Sequence, residues 1–212
     1  MKRTVLMAAA MGCTCLAGGN ADAAMRITEW MYNGVEFVEF TNTGNAPIDM
    51  TGWSYSDDSR LPGAVDLSAF GIVQAGESVI LAEDIADDFR LLWDLDSSVK
   101  VIGENEVNLG RNDEINLFDD QGDLVDRLAY GDQVFDGTIR TQGPQSGITA
   151  PENYGLNDVT LWFFAEDGDA FGSWVSSAGY IGSPGYAAVP EPATLSLVAT
   201  AGILAFRRRR AG

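Results

Sequence analysis

Carboxylates are the one abundant kind of reactive group in this 212-residue sequence. Asp and Glu number 31 against 13 Lys and Arg, histidine does not occur, and the two cysteines, Cys13 and Cys15, stand near the start. A chain without histidine excludes Ser-His-Asp and Cys-His catalysis, and zinc sites of the usual kind. No Gly-x-x-x-x-Gly-Lys loop and no dinucleotide fingerprint follows a strand. Two chemistries remain open to the carboxylates. Asp119, Asp120 and Asp123 in DDQGD, and Glu166, Asp167 and Asp169 in AEDGDA, cluster hard oxygen donors around a glycine, as calcium requires. Neither loop has EF-hand spacing, and hairpin tips carry Asp and Gly for turn geometry alone, so turn formation ranks ahead of calcium. Paired carboxylates also serve glycoside hydrolysis, but no Glu-x-Asp-x-x-Glu strand is present. The chain is therefore expected to be non-catalytic and without a cofactor. Trp30, Trp53, Trp93, Trp162 and Trp174 are either sugar-stacking platforms or core.

The two ends read as processing segments rather than as parts of a fold. Residues 1–23 have the order of a signal peptide: Lys2 and Arg3, an apolar stretch from Thr4 to Ala17, then Ala21-Asp22-Ala23 as a signal peptidase site. No lipobox precedes Cys13 or Cys15, so both cysteines leave with the signal. The mature protein then has no disulfide to rely on. Six of the thirteen cations lie in the end segments, as Lys2, Arg3, Arg207, Arg208, Arg209 and Arg210. Without the ends, with Asp22 and Glu191 removed as well, 7 basic residues face 29 acidic ones, a net of −22. Such a body repels nucleic acid and anionic lipid and suits cations or hydrated polysaccharide.

The elements between the ends read as β. MRITEWMY and VEFVEF, joined by Asn33-Gly34, predict a tight hairpin. Val35 and Phe37 point one way and Val38 and Phe40 the other, which marks a central strand. IDMTGWSYSDD predicts a strand with a bulge or close approach at Gly52, and FGIVQAGESVILAED a hairpin around Gln74 to Gly76. DEINLFDDQGDLVDRLAY predicts a strand pair that sets Ile115 and Leu117 against Leu124 and Leu128. Ile85, Phe89, Leu92 and Trp93 recur at helical spacing within Asp84 to Asp94, which predicts a short helix covering an open end or edge. After Asp132 the composition predicts a long loop, one more apolar strand in DVTLWFFAEDGDAFGSWV, and a flexible spacer, SSAGYIGSPGYAA.

Two resemblances follow from these residues. Val189-Pro190-Glu191-Pro192, the apolar run Ala193 to Phe206 and the cluster Arg207 to Arg210 resemble the PEP-CTERM sorting signal of Gram-negative bacteria. The arginines hold the end of the tail on the cytoplasmic side. The run spans only about 21 Å as a helix against a hydrocarbon core of about 30 Å, so it suits transient insertion. The resemblance implies cleavage by an exosortase-type membrane protease near the motif. Residues 25–132 resemble a lamin-tail domain, an immunoglobulin-like β-sandwich. The resemblance rests on ITEWMYNGVEFVEFTNTGNAPIDMTGWSYSDD, on VQAGESVILAED, and on INLFDDQGDLVDRLAYGD with Gly122 and Asp126. That family implies a binding or structural module.

The expectation is thus a signal peptide (1–23), an all-β immunoglobulin-like sandwich with one short helix (25–132), an extension with further strands and a spacer (133–188), and a sorting tail (189–212). Its role is structural or adhesive at the cell surface or in the extracellular matrix, where polysaccharide is the candidate partner. A carbohydrate- or calcium-binding module is the alternative, and a carboxylate-dependent hydrolase the third choice.

Overall fold

Strands that are apolar on both faces need cover on both sides, and the computed structural model, which describes residues 24–131 and 143–189, supplies it. Among these residues the strands in chain order are β1 (Met25–Met31), β2 (Phe37–Asn42), β3 (Ile48–Asp49), β4 (Ser54–Ser56), β5 (Val65–Asp66), β6 (Ile72–Val73) and β7 (Ser78–Ala82). The helix α1 (Ala86–Trp93) follows, then β8 (Lys100–Ile102), β9 (Asp113–Phe118), β10 (Leu124–Tyr130), β11 (Gly147–Thr149), β12 (Trp162–Phe164), β13 (Trp174–Val175) and β14 (Ile181–Gly182). A six-stranded sheet runs β12-β11-β1-β2-β7-β8, and a four-stranded sheet runs β10-β9-β4-β5. The two enclose the larger core, with Trp30, Val38, Phe40, Val79 and Leu81 from the first facing Tyr55, Ile115, Leu117 and Leu128 from the second. Among the described residues the fold is therefore mostly β and layered as a sandwich, with one α-helix.

β2 lies between β1 and β7, the central place that its sequence predicts. Phe37 and Val35 belong to one apolar cluster while Val38 and Phe40 belong to the other. The helix also forms, with Phe89 and Trp93 buried, Asp87 and Asp88 in its first turn, and Asp94 ending it in the left-handed conformation at φ 53°. It lies on the outer face of the six-stranded sheet toward its β8 edge, where Phe89 and Trp93 join Met31, Phe37, Ile80 and Ala82. Phe37 meets both helix rings edge-on, at centroid distances of 5.4 and 6.0 Å.

Five expectations are corrected. The β1–β2 connection is longer than a two-residue turn, because pairing stops at Met31↔Phe37 and Val35 and Glu36 turn inward to burial. Gln74 to Gly76 does turn, with the Glu77 N–H bonded to the Gln74 carbonyl, but β6 pairs with β3 and β7 with β2. The segment therefore arches from one sheet to another instead of forming a hairpin. In the closing strand pair Leu128 faces Ile115, but an irregularity between Leu124 and Asp126 puts Leu124 opposite Phe118 and leaves it exposed. The stretch expected to be a loop contains β11, which pairs with both β1 and β12 inside the large sheet. The stretch expected to be a spacer contains β14, paired with β13 and followed by the buried Ser183.

Candidate functional site

The outer face of the six-stranded sheet is apolar at one end and polar at the other. The polar half begins with a register shift between Ile27 and Glu29, which interrupts the alternation along β1. The Ile27 N–H at the shift is taken by Asp126 of the other sheet at 2.9 Å. Beyond the shift Glu29 stands directly opposite Glu39 on β2. Both are buried, with 1% and 0% of their surface exposed. Charged residues are almost never buried to that degree without a partner.

The partners are hydroxyls and backbone N–H groups. Glu29 Oε1 accepts from Ser146 Oγ and from the Ser183 N–H at 2.8 Å, and its Oε2 accepts from Ser183 Oγ at 3.0 Å. Glu39 Oε1 accepts from Thr28 Oγ1 at 2.7 Å, and its Oε2 from the Gly185 N–H at 2.6 Å. Thr28 Oγ1 is 2.7 Å from Thr41 Oγ1, which is 2.7 Å from Ser78 Oγ. A hydroxyl has one proton to give, so when Thr28 donates to Glu39 the order runs Ser78 to Thr41 to Thr28 to Glu39. Gly182 permits this close packing, since a Cβ there would lie 2.5 Å from Glu29 Oε1 and 3.2 Å from Trp93 Cη2.

Among the described residues no lysine or arginine forms an ion pair with either glutamate. Burial above all, and then the charge of Glu39, raises the Glu29 carboxyl well above its ordinary 4.5, against the hydrogen bonds from Ser146 and Ser183. Burial likewise raises Glu39, opposed by Thr28, Gly185, Ser78 and Thr41. Two facing carboxyls in a dry site cannot both ionise without a cation, so the pair retains a proton. Chemically the arrangement is a pair of facing acids, each hydrogen-bonded to hydroxyls and N–H groups and covered by the chain around Gly182 to Gly185. It fastens that chain to the sheet. A third buried carboxyl, Glu36 at the opposite end of the sheet, accepts from the Leu109 N–H at 2.6 Å and is pushed up to about 8, mainly by burial.

The calcium candidates named from the sequence lie in turns. Asp119 Oδ1 accepts the N–H groups of Gln121 and Asp123, both at 2.9 Å, and Asp120 accepts the Gln121 side-chain amide. Asp169 accepts the N–H groups of Glu166, Phe171 and Ser173, while Glu166 and Asp167 are exposed. Among the described residues the acidic side chains that converge closely enough to share an ion are instead Asp57, Asp58 and Asp113, with oxygens within 4.8 Å of one another. Two of these already accept backbone N–H bonds, Asp113 from Asp58 and Gly110, and Asp57 from Ser59. The tryptophans form no exposed row. Trp30, Trp93 and Trp162 are buried, and Trp53 and Trp174 are half-buried. The processing residues Ala21, Ala23, Pro190, Glu191, Pro192 and Arg207 to Arg210 lie outside the described residues. Among those described, no helix is long and apolar enough to cross a membrane.

Sequence reasoning missed Glu29, Glu39 and Ser183. The available signal was a pair of glutamates inside strands that are apolar on both faces, where a solvated acid has no place to point.

The family model of the lamin tail domain matches residues 19–132. The match ends before β11 and β12, which complete the large sheet. No curated protein and no solved structure matches the chain.

Proposed function

The chain belongs to the lamin tail domain family, whose immunoglobulin-like domain is non-catalytic, and from that premise we propose that it is an exported structural or adhesive module of the cell surface or extracellular matrix. Its signal peptide starts export, and an exosortase-type protease processes its C-terminal tail after transient membrane insertion.

One observation carries the reading. The first and last described residues both lie at the end of the sandwich formed by Asn42, Thr43 and Gly76. The Ala24 carbonyl accepts the Thr43 N–H at 2.8 Å, and the adjacent Asn42 exchanges backbone bonds with Gly76 and Glu77. Val189 lies against Gly76 in turn, with its Cγ2 3.9 Å from where a Cβ on that glycine would stand. Both processing segments therefore join the body at the same pole, an arrangement that suits a domain held at a membrane by its ends while the rest faces outward. The acidic surface suits hydrated polysaccharide better than anionic lipid.

Intact-mass measurement of the protein from surface and medium fractions of a host with such a sorting system tests this. The expected species begins near Ala24 and lacks Arg207 to Arg210. A surface or secreted species that keeps the arginine cluster, or a protein confined to the cytoplasm, would overturn the proposal.

A further inference from the structure

The chain of residues 181–189 is the arm that joins the body to Pro190, and it crosses the polar half of the sheet face. Beyond the β13–β14 pairing that fixes Ile181 and Gly182, its polar hold on the sheet is three hydrogen bonds. Ser183 gives its N–H and its hydroxyl to Glu29, and Gly185 gives its N–H to Glu39. Ile181 exchanges backbone bonds with Pro144 and Ser146 on one side of this hold. Past it, Tyr186 is exposed.

We infer that the facing Glu29–Glu39 pair is a proton-dependent clasp for the C-terminal arm, closed while the pair keeps a proton and opened when both carboxyls are charged. The geometry requires the coupling. With the arm seated, the pair is dry, uncompensated by any described cation and directly opposed across two neighbouring strands. With the arm lifted, water reaches both carboxyls and each ionises at its ordinary value. Seating the arm above that value therefore takes up protons, so docking weakens as pH rises. The raised folded-state values of both groups give the same sign: arm docking is complete below the ordinary glutamate range and is lost as pH climbs through the raised values. The surrounding groups do not replace the missing counter-charge. β1, β2 and β7 contribute the hydroxyls of Thr28, Thr41 and Ser78, Ser146 just before β11 contributes its own, and α1 contributes the Trp93 ring near Gly182. Tyr154 is the further titratable group that feels both glutamates, with Glu152 and the arm's Tyr186 behind it, and its phenol is raised chiefly by burial and so stays neutral.

Amide hydrogen exchange of the full chain, read by mass spectrometry and corrected for intrinsic rates, tests the clasp. Between about pH 6 and about pH 9 the opening constant of the arm amides is expected to rise at least about tenfold, while that of β2 stays constant. In the double variant Glu29→Gln/Glu39→Gln, which is neutral at every pH, the arm opening is expected to become pH-independent. The single variant Glu39→Gln leaves one titrating carboxyl and is expected to show an intermediate slope. A wild-type arm whose opening does not change with pH overturns the inference, even if no variant folds. So does an arm that opens only together with β2, or a double variant that keeps the wild-type slope.

Discussion

The two halves of one sheet face are covered by opposite means. Over Met31, Phe37, Ile80 and Ala82 lies a helix that presents Phe89 and Trp93, and burial of apolar area holds it there without regard to direction or pH. Over Thr28, Glu29, Glu39 and Thr41 lies an irregular arm that presents two N–H groups and a hydroxyl. There the hold is directional, and its strength depends on which protons are present. The halves meet at Trp93, which packs on Trp174 at 5.9 Å and accepts the Trp174 indole N–H at its carbonyl. One chain thus carries a permanent cover and a conditional one on the same strands.

Substitutions should separate the two covers. The largest effect is expected for Trp93→Ala, which empties the apolar half and costs about 3–5 kcal/mol in urea unfolding, equally at low and high pH. Next comes Gly182→Ala, whose new Cβ has no room between Glu29 and the Trp93 ring. It should cost about 1–3 kcal/mol by the same measurement, and loosen the arm more than the helix. Ser183→Ala removes the bond to Glu29 Oε2 and should cost about 1 kcal/mol, confined to the arm in hydrogen exchange. The smallest effect is expected on the outward side of the helix. Leu91 is 79% exposed, and Leu91→Ser should stay within about 0.5 kcal/mol of wild type. A Leu91→Ser cost as large as that of Trp93→Ala would mean that the helix faces the sheet with its other side.

The apolar half was legible in the sequence, and the polar half was not. The two-sided pattern of Val35, Phe37, Val38 and Phe40 carries through to the fold, and so does the helical spacing of Phe89, Leu92 and Trp93, because apolar periodicity is the signal that burial leaves. Ile85, counted in the same stripe, instead precedes the helix and is exposed. The periodicity showed that the helix had an inward stripe, but not which surface it faced. The turn at Gln74 to Gly76 was also readable, yet local turn chemistry does not say which sheet the next strand joins. The arm left no pattern at all. IGSPG is fastened by backbone N–H groups and one serine, and backbone groups are the same in every sequence. Three-residue β11 was hidden for the same reason among Gly, Pro, Ser and Thr. Glu29 and Glu39 counted as acidic surface because composition does not tell a buried carboxyl from a solvated one.

Protonation of the buried glutamates in the folded state is tested most directly by urea unfolding of the wild-type chain from about pH 5 to about pH 9. The folded-state values of Glu29, Glu36 and Glu39 are raised above the ordinary 4.5. Their contribution is therefore fully present below that value and lost as pH rises through the raised ones. Carboxylates with lowered values, such as Asp49, Asp66 and Asp169, have the opposite sign but act below the ordinary carboxylate range, outside this window. The predicted result is a steady fall in unfolding free energy, on the order of a few kcal/mol across the window, shallower in Glu29→Gln/Glu39→Gln, where the part that Glu36 contributes remains. A stability that stays level or rises between those pH values would contradict it.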